Sequence, residues 1–140
     1  MNVTVDTSIW IELLRDKTGG VANQLRGAAG DRTIVLVPPV LLEVLQGCRD
    51  DAAWNAVSSR LSAFEIVRTP DSLWRDAARL YFDLRVAGTT IRSTLDCCIA
   101  IYAIASDLTL IHNDRDFDAI ATVRPLKNLR IDVTKASPAP

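Results

Sequence analysis

The chain is predicted to fold as a three-layer α/β/α domain around a central, mainly parallel sheet of four to five strands. Two observations carry this expectation. Short runs rich in β-branched residues, "VTV", "TIVLV" and "LTLIH", are separated by longer stretches with helical spacing of apolar residues. Proline or glycine punctuates most of the joins, as expected where strand gives way to helix. With 140 residues, 49% of them hydrophobic and 24% charged, the composition is that of one globular domain and excludes a disordered or fibrous chain.

Taken in order, Val3 to Val5 reads as a first strand. Ile9, Leu13 and Leu14 begin a helix, with the hydroxyls of Thr7 and Ser8 as N-cap candidates. Gly19-Gly20 interrupts it, and a second helix over 21–29 is ended by Gly30. Thr33 to Val37 is a buried strand stopped by Pro38-Pro39, and 40–46 is a short helix before Gly47. Trp54, Val57 and Leu61 place a helix over 51–62, followed by a short strand at 65–67.

Leu73, Ala77, Leu80 and Leu84 mark a long amphipathic helix over 71–87, opened near Pro70 and closed at Gly88. The stretch 93–105 is apolar nearly all round, which predicts a buried helix. A strand over 108–112, a helical turn over 117–121 and a last strand over 129–133 complete the pattern. Residues 1–134 form the expected domain, and 135–140, "KASPAP", a flexible tail. Trp10, Trp54 and Trp74 fall at helical spacing and are read as packing residues.

Charge and cysteine usage narrow the function classes. The net charge of -1 argues against bulk electrostatic coating of nucleic acid, although acids gathered in one pocket would mask basic residues elsewhere in the sum. Cys48, Cys97 and Cys98 match neither a disulfide framework nor a zinc knuckle and fit a reducing cytoplasm. No apolar run approaches the length of a membrane span, and neither a leader-like start nor a Gly-rich nucleotide loop is present. His112, the single histidine, supports no catalytic triad and is read as a packed strand-end residue.

The acids are more informative. Ligands of open α/β sheets bind beyond the carboxyl ends of the strands. Asp6 follows the first strand, Glu43 lies one turn beyond Pro38-Pro39, Asp96 opens the buried helix, and Asp114 and Asp116 follow the strand ending at His112. Each has a structural alternative. Asp6 can cap a helix, Asp96 can complete a capping box with Ser93, and Asp114, Asp116 and Asp118 can be a solvated loop. Asp96 and Glu43, however, sit among apolar neighbours where a charge needs a partner. Carboxylates converging from distant segments repel unless a hard cation compensates them, and oxygen-only donors select Mg2+ or Mn2+ over zinc. Arg85, Arg92 and Arg115 flank these positions and are candidates for a phosphate-holding rim.

The segments "VDTSIWIELL", "PPVLLEVLQG", "GTTIRSTLDCCIAIYAI" and "LIHNDRDFDAIA", in that order and over nearly the whole chain, resemble the PIN-domain ribonucleases. The likeness is to the VapC toxins of bacterial type II toxin-antitoxin pairs, and among these to mycobacterial or actinobacterial members. It implies a metal-holding quartet of Asp6, Glu43, Asp96 and Asp114, with Asp116 as substitute or supplement and Ser8 hydrogen-bonded to a ligand carboxylate. It further implies an endoribonuclease that uses one or two Mg2+ or Mn2+ ions, forms a homodimer and is silenced by a VapB-type antitoxin. The rival expectations are a metal-dependent phosphohydrolase of the haloacid-dehalogenase kind, which places a second Asp where this chain has Ser8, and a non-catalytic binding module of the same fold.

Overall fold

The computed structural model describes residues 1–139; Pro140, the end of the expected tail, lies outside the described residues. Its elements run β1 (Asn2–Val5), α1 (Thr7–Arg15), α2 (Gly20–Ala29), β2 (Thr33–Ile34), α3 (Pro38–Gln46), α4 (Asp51–Leu61), α5 (Leu73–Val86), α6 (Thr94–Ala105), β3 (Thr109–His112), α7 (Arg115–Ala121) and β4 (Asn128–Arg130), with a 3-10 turn at Val133–Lys135. The four strands form one all-parallel sheet in the order β2-β1-β3-β4, flanked by the helices.

Val3 and Val5 of β1 and Leu110 and Ile111 of β3 are fully buried, so the central pair reads as apolar on both faces, as parallel strands covered by helices must. Helix α6 packs most extensively against α5 and keeps Cys97, Ile99, Ala100 and Ala103 out of water. Trp10 of α1 stacks edge-on against Phe64 with ring centres 5.1 Å apart. The three cysteines are free thiols. None of the described helices is long and apolar enough to cross a membrane.

Four expectations are corrected. The second strand pairs regularly with β1 only over Thr33–Ile34; Val35 still donates to Val3 O at 2.9 Å, but Leu36 gives its N–H to Glu65 O at 2.8 Å, and Pro38-Pro39 then offers no N–H to prolong a ladder. Residues 65–67 contribute a single parallel bridge, Leu36 to Ile66, in place of a strand. The last strand ends at Arg130, and Val133 belongs to the 3-10 turn.

Finally, Trp54 and Trp74 are substantially exposed. The core stripe of α5 is Leu73, Ala77, Leu80 and Leu84, which turns Trp74, one residue off that row, toward solvent.

The sheet order places the site. From β1 the chain moves outward to β2 on one side, and β3 and β4 later extend the other side, so the topological switch lies between β1 and β3. The carboxyl ends of these two strands open into the crevice where this architecture binds ligands.

Candidate metal centre

Asp6 leaves β1 at that crevice, and its backbone N–H donates to Ile111 O at 2.9 Å, continuing the ladder one step beyond the strand. It occupies the N-cap position of α1, so Thr7 and Ser8 are the first residues inside the helix and not its cap. The Asp6 carboxylate accepts the Ser8 hydroxyl at 2.8 Å. Burial pushes the Asp6 carboxyl above its ordinary range; the Ser8 bond opposes this, and the charge of Asp114 adds to it.

Glu43 projects from α3, a helix started by two prolines that need no N–H partners in its first turn. It is half-buried, and the Thr7 hydroxyl donates to its Oε1 at 2.8 Å, tying α3 to α1 across the cleft. Asp96 stands in the first turn of α6, whose N-cap Ser93 accepts from the Leu95 N–H. Desolvation, reinforced by the charges of Asp6, Asp114, Glu43 and Asp116, pushes the Asp96 carboxyl up to about 7.

Asp114 is the N-cap of α7 and accepts the Asp116 N–H at 2.9 Å. Its own N–H donates to Nδ1 of the buried His112 at 3.1 Å. Asp6, Thr7, Ser8, Glu43, Asp96 and Asp114 thus line one cleft of about 320 Å³ together with Ile11, Arg92 and Ser93. Asp116 is buried beside this cleft and faces Arg92. Oxygen atoms of Asp96, Asp114 and Asp116 lie within 4.8 Å of one another.

These residues fit a hard divalent cation. Every donor is a carboxylate oxygen, and burial together with the charges of four neighbouring carboxylates raises the Asp96 carboxyl, a load that a bound cation would relieve. Among the described residues, Arg92 is the one cation lining the acidic cleft. Arg115 lines an adjoining hollow that shares Arg92 with the cleft. Arg85 lies elsewhere: its guanidinium sits 5.7 Å from the Phe82 ring centre and borders a separate groove between α5 and α6.

Residues 3–123 match the PIN domain family model. The chain belongs to the PIN-domain family. Within it the chain sides with the VapC ribonucleases. Ribonuclease VapC11 of Mycobacterium tuberculosis is 31% identical over 128 residues, covering 89% of this chain and 96% of that protein, and a VapC ribonuclease of Mycobacterium bovis matches to the same extent. The PIN fold recurs in VapBC2 from Rickettsia felis, solved bound to a DNA fragment from its promoter. That match has a TM-score of 0.77 and 23% identity, over 94% of this chain and 100% of that one. VapBC-1 from nontypeable Haemophilus influenzae gives a TM-score of 0.75 and 20% identity over 96% and 100%.

Two supporting roles are not evident in the sequence, one of a residue lining the PIN-domain cleft and one of a buried residue behind it. Thr7 was read as a cap hydroxyl, whereas it holds Glu43. His112, read as simple packing, also supports the backbone of Asp114.

Proposed function

We propose that this chain is a divalent-cation-dependent endoribonuclease of the VapC type. The observation that carries the reading is the convergence of Asp6, Glu43, Asp96 and Asp114, from four separate parts of the chain, on the cleft at the β1/β3 switch point. Structural acids on a surface pair with bases or face water, whereas here the Asp96 carboxyl is pushed up to about 7, first by burial and then by the charges of its acidic neighbours.

Asp96 and Asp114 are the central cation-holding residues in this reading, with Asp6 completing the wall and Asp116 supplementing them. A divalent cation held by these oxygens supplies charge to offset what builds on a phosphate oxygen and makes a water at the site more acidic. Ser8 keeps the Asp6 carboxylate turned into the cleft, and Thr7 does the same for Glu43. Glu43, half-buried in the cleft lining, positions the cation or orients the attacking water and takes its proton. Arg92 and Arg115, at the rim, hold the flanking phosphates, and that grip weakens with salt.

The same reading carries Mg2+ or Mn2+ as the cofactor, a homodimer, a cytoplasmic location and a VapB-type antitoxin. The support for the antitoxin is the fold shared with VapBC assemblies and with a toxin-antitoxin complex from Klebsiella pneumoniae, TM-score 0.69 at 17% identity over 94% of this chain and 98% of that one. The test is an assay of the purified chain on total RNA with Mg2+, with chelator, and as Asp96→Asn. Discrete cuts bearing 5′-phosphates, lost in the last two conditions, are the expected result. Cleavage that persists in chelator would remove the cation from the reaction, and turnover of a small phosphomonoester in place of RNA would favour a phosphohydrolase.

A further inference from the structure

Arg92 stands where two hollows meet. It lines the acidic cleft and also the neighbouring hollow bounded by Gly88, Thr89, Thr90 and Arg115. Its Nη2 donates to both oxygens of Asp114, at 3.0 and 3.1 Å, and its Nε donates to Asp116 Oδ2 at 3.3 Å. Those two acids are two of the three whose oxygens converge closely enough to share one ion. The guanidinium therefore spans much of the charge that a cation in the triad would use.

Both cannot sit there at full strength. A Mg2+ ion approaches a carboxylate oxygen to roughly 2.1 Å, which would bring it against a like-charged guanidinium already covering both Asp114 oxygens. Arg92 is the partner able to yield: its side chain is 67% exposed and its guanidinium makes no other hydrogen bond among the described residues. Once released, a planar fork of donors at the rim of the cleft matches a phosphodiester's two free oxygens.

We propose that Arg92 and a divalent cation are alternative partners of Asp114, and that cation loading hands the Arg92 guanidinium over to a phosphate of the bound RNA strand. The first half rests on the acidic triad alone; the second rests on the ribonuclease reading. Arg92 is then a positioning residue that couples cation occupancy to substrate grip, so that RNA is held firmly only when the centre is loaded.

The experiment has two arms that need no turnover. In the first, Mn2+ is titrated into wild type, Arg92→Ala and Arg92→Lys without RNA, and free Mn2+ is read by electron paramagnetic resonance. Arg92→Ala is expected to bind roughly 5- to 10-fold tighter. Arg92→Lys, which keeps the charge but loses the fork, is expected to fall between. Equal affinity of wild type and Arg92→Ala overturns the proposal, and so does a lysine variant identical to wild type, which would mean a general field effect.

In the second arm, anisotropy of a labelled single-stranded RNA is compared in chelator and in Ca2+. Loss of Arg92 is expected to weaken binding about 10-fold in Ca2+ and hardly at all in chelator. The same loss in both conditions overturns the handover. Absence of RNA binding by any variant sinks the ribonuclease reading and with it the second half, while the Mn2+ arm still decides the first. Should Arg92→Ala fail to fold, Arg92→Lys and Arg92→Gln carry both titrations.

Discussion

The backbone N–H of Asp114 donates to Nδ1 of His112 at 3.1 Å, and the opposite ring nitrogen of His112 meets Asn128 Oδ1 at 3.0 Å. A nitrogen that accepts carries no proton, so His112 is the neutral tautomer protonated on Nε2 and donates to Asn128. The fully buried ring thereby fixes the turn that presents Asp114, from β4 on one side and β3 on the other. His112→Phe keeps a flat ring beside Phe117, though a bulkier one, and leaves the Asp114 N–H unpaired. It should cost about 1–3 kcal/mol and weaken Mn2+ binding several-fold. Denaturant unfolding and Mn2+ titration check this; wild-type values in both would mean that the bond carries nothing.

Thr7→Val tests a different support. The substitution preserves shape at the first residue of α1 and removes the only donor that the described residues offer to Glu43. Stability should change by no more than about 1 kcal/mol, because Thr7 is only half-buried and its backbone role is unchanged. RNA cleavage should fall roughly 10-fold as Glu43 loses its orientation, and Thr7→Ser should recover most of it. An active Thr7→Val enzyme would show that Glu43 needs no such hold.

Much of the molecule was legible because local and global signals agree. Runs of β-branched residues mark β1, β2 and β3, with Gly30 and Pro38-Pro39 bounding β2, and the rule that ligands gather at strand ends points to Asp6, Glu43, Asp96 and Asp114. The misreadings have physical causes. A hydroxyl next to a strand-end Asp looks like a cap, and only the packing of α1 on α3 reveals that Thr7 faces Glu43. Residues 65–67 have strand composition yet lie at the sheet edge, where Leu36 alone pairs with them, in one bridge, before the chain enters α3. Arg92 pairs with acids 22 and 24 positions away, a separation at which no sequence pattern reports contact.

Gly20 makes a third test possible. A Cβ at this position would lie 2.0 Å from the Ser137 carbonyl oxygen, so the absence of a side chain lets the C-terminal segment pass, with the Ala139 N–H donating to Thr18 O at 3.1 Å. Gly20→Ala should displace residues 136–139 from the start of α2. Faster amide exchange at Ala139 and a stability loss of about 1 kcal/mol are expected, with RNA cleavage unaffected because neither Gly20 nor residues 136–139 line the cleft. Unchanged exchange would show that the segment does not dwell there in solution.

Asp96 ties the charge of the cleft to stability. Burial and the neighbouring carboxylates push its carboxyl up to about 7, from an ordinary aspartate value of about 4. Between those pH values the folded chain holds a proton that the unfolded chain has released, so the unfolded state binds fewer protons and stability falls as pH rises from about 4 to about 7. The penalty is fully present above pH 7 and is on the order of 4 kcal/mol at most. Asp96→Asn removes it: the variant should unfold at higher denaturant concentration than wild type at pH 8, match it more nearly at pH 5, and cut no RNA. A divalent cation acts on the same charge, so Mg2+ should stabilise wild type more at pH 8 than at pH 5 and leave Asp96→Asn little changed. Unfolding curves at the two pH values, with and without Mg2+, decide the matter. A wild type that gains stability steadily from pH 5 to pH 8 without the ion would mean that Asp96 is already compensated, and that its acidic neighbours do not repel it.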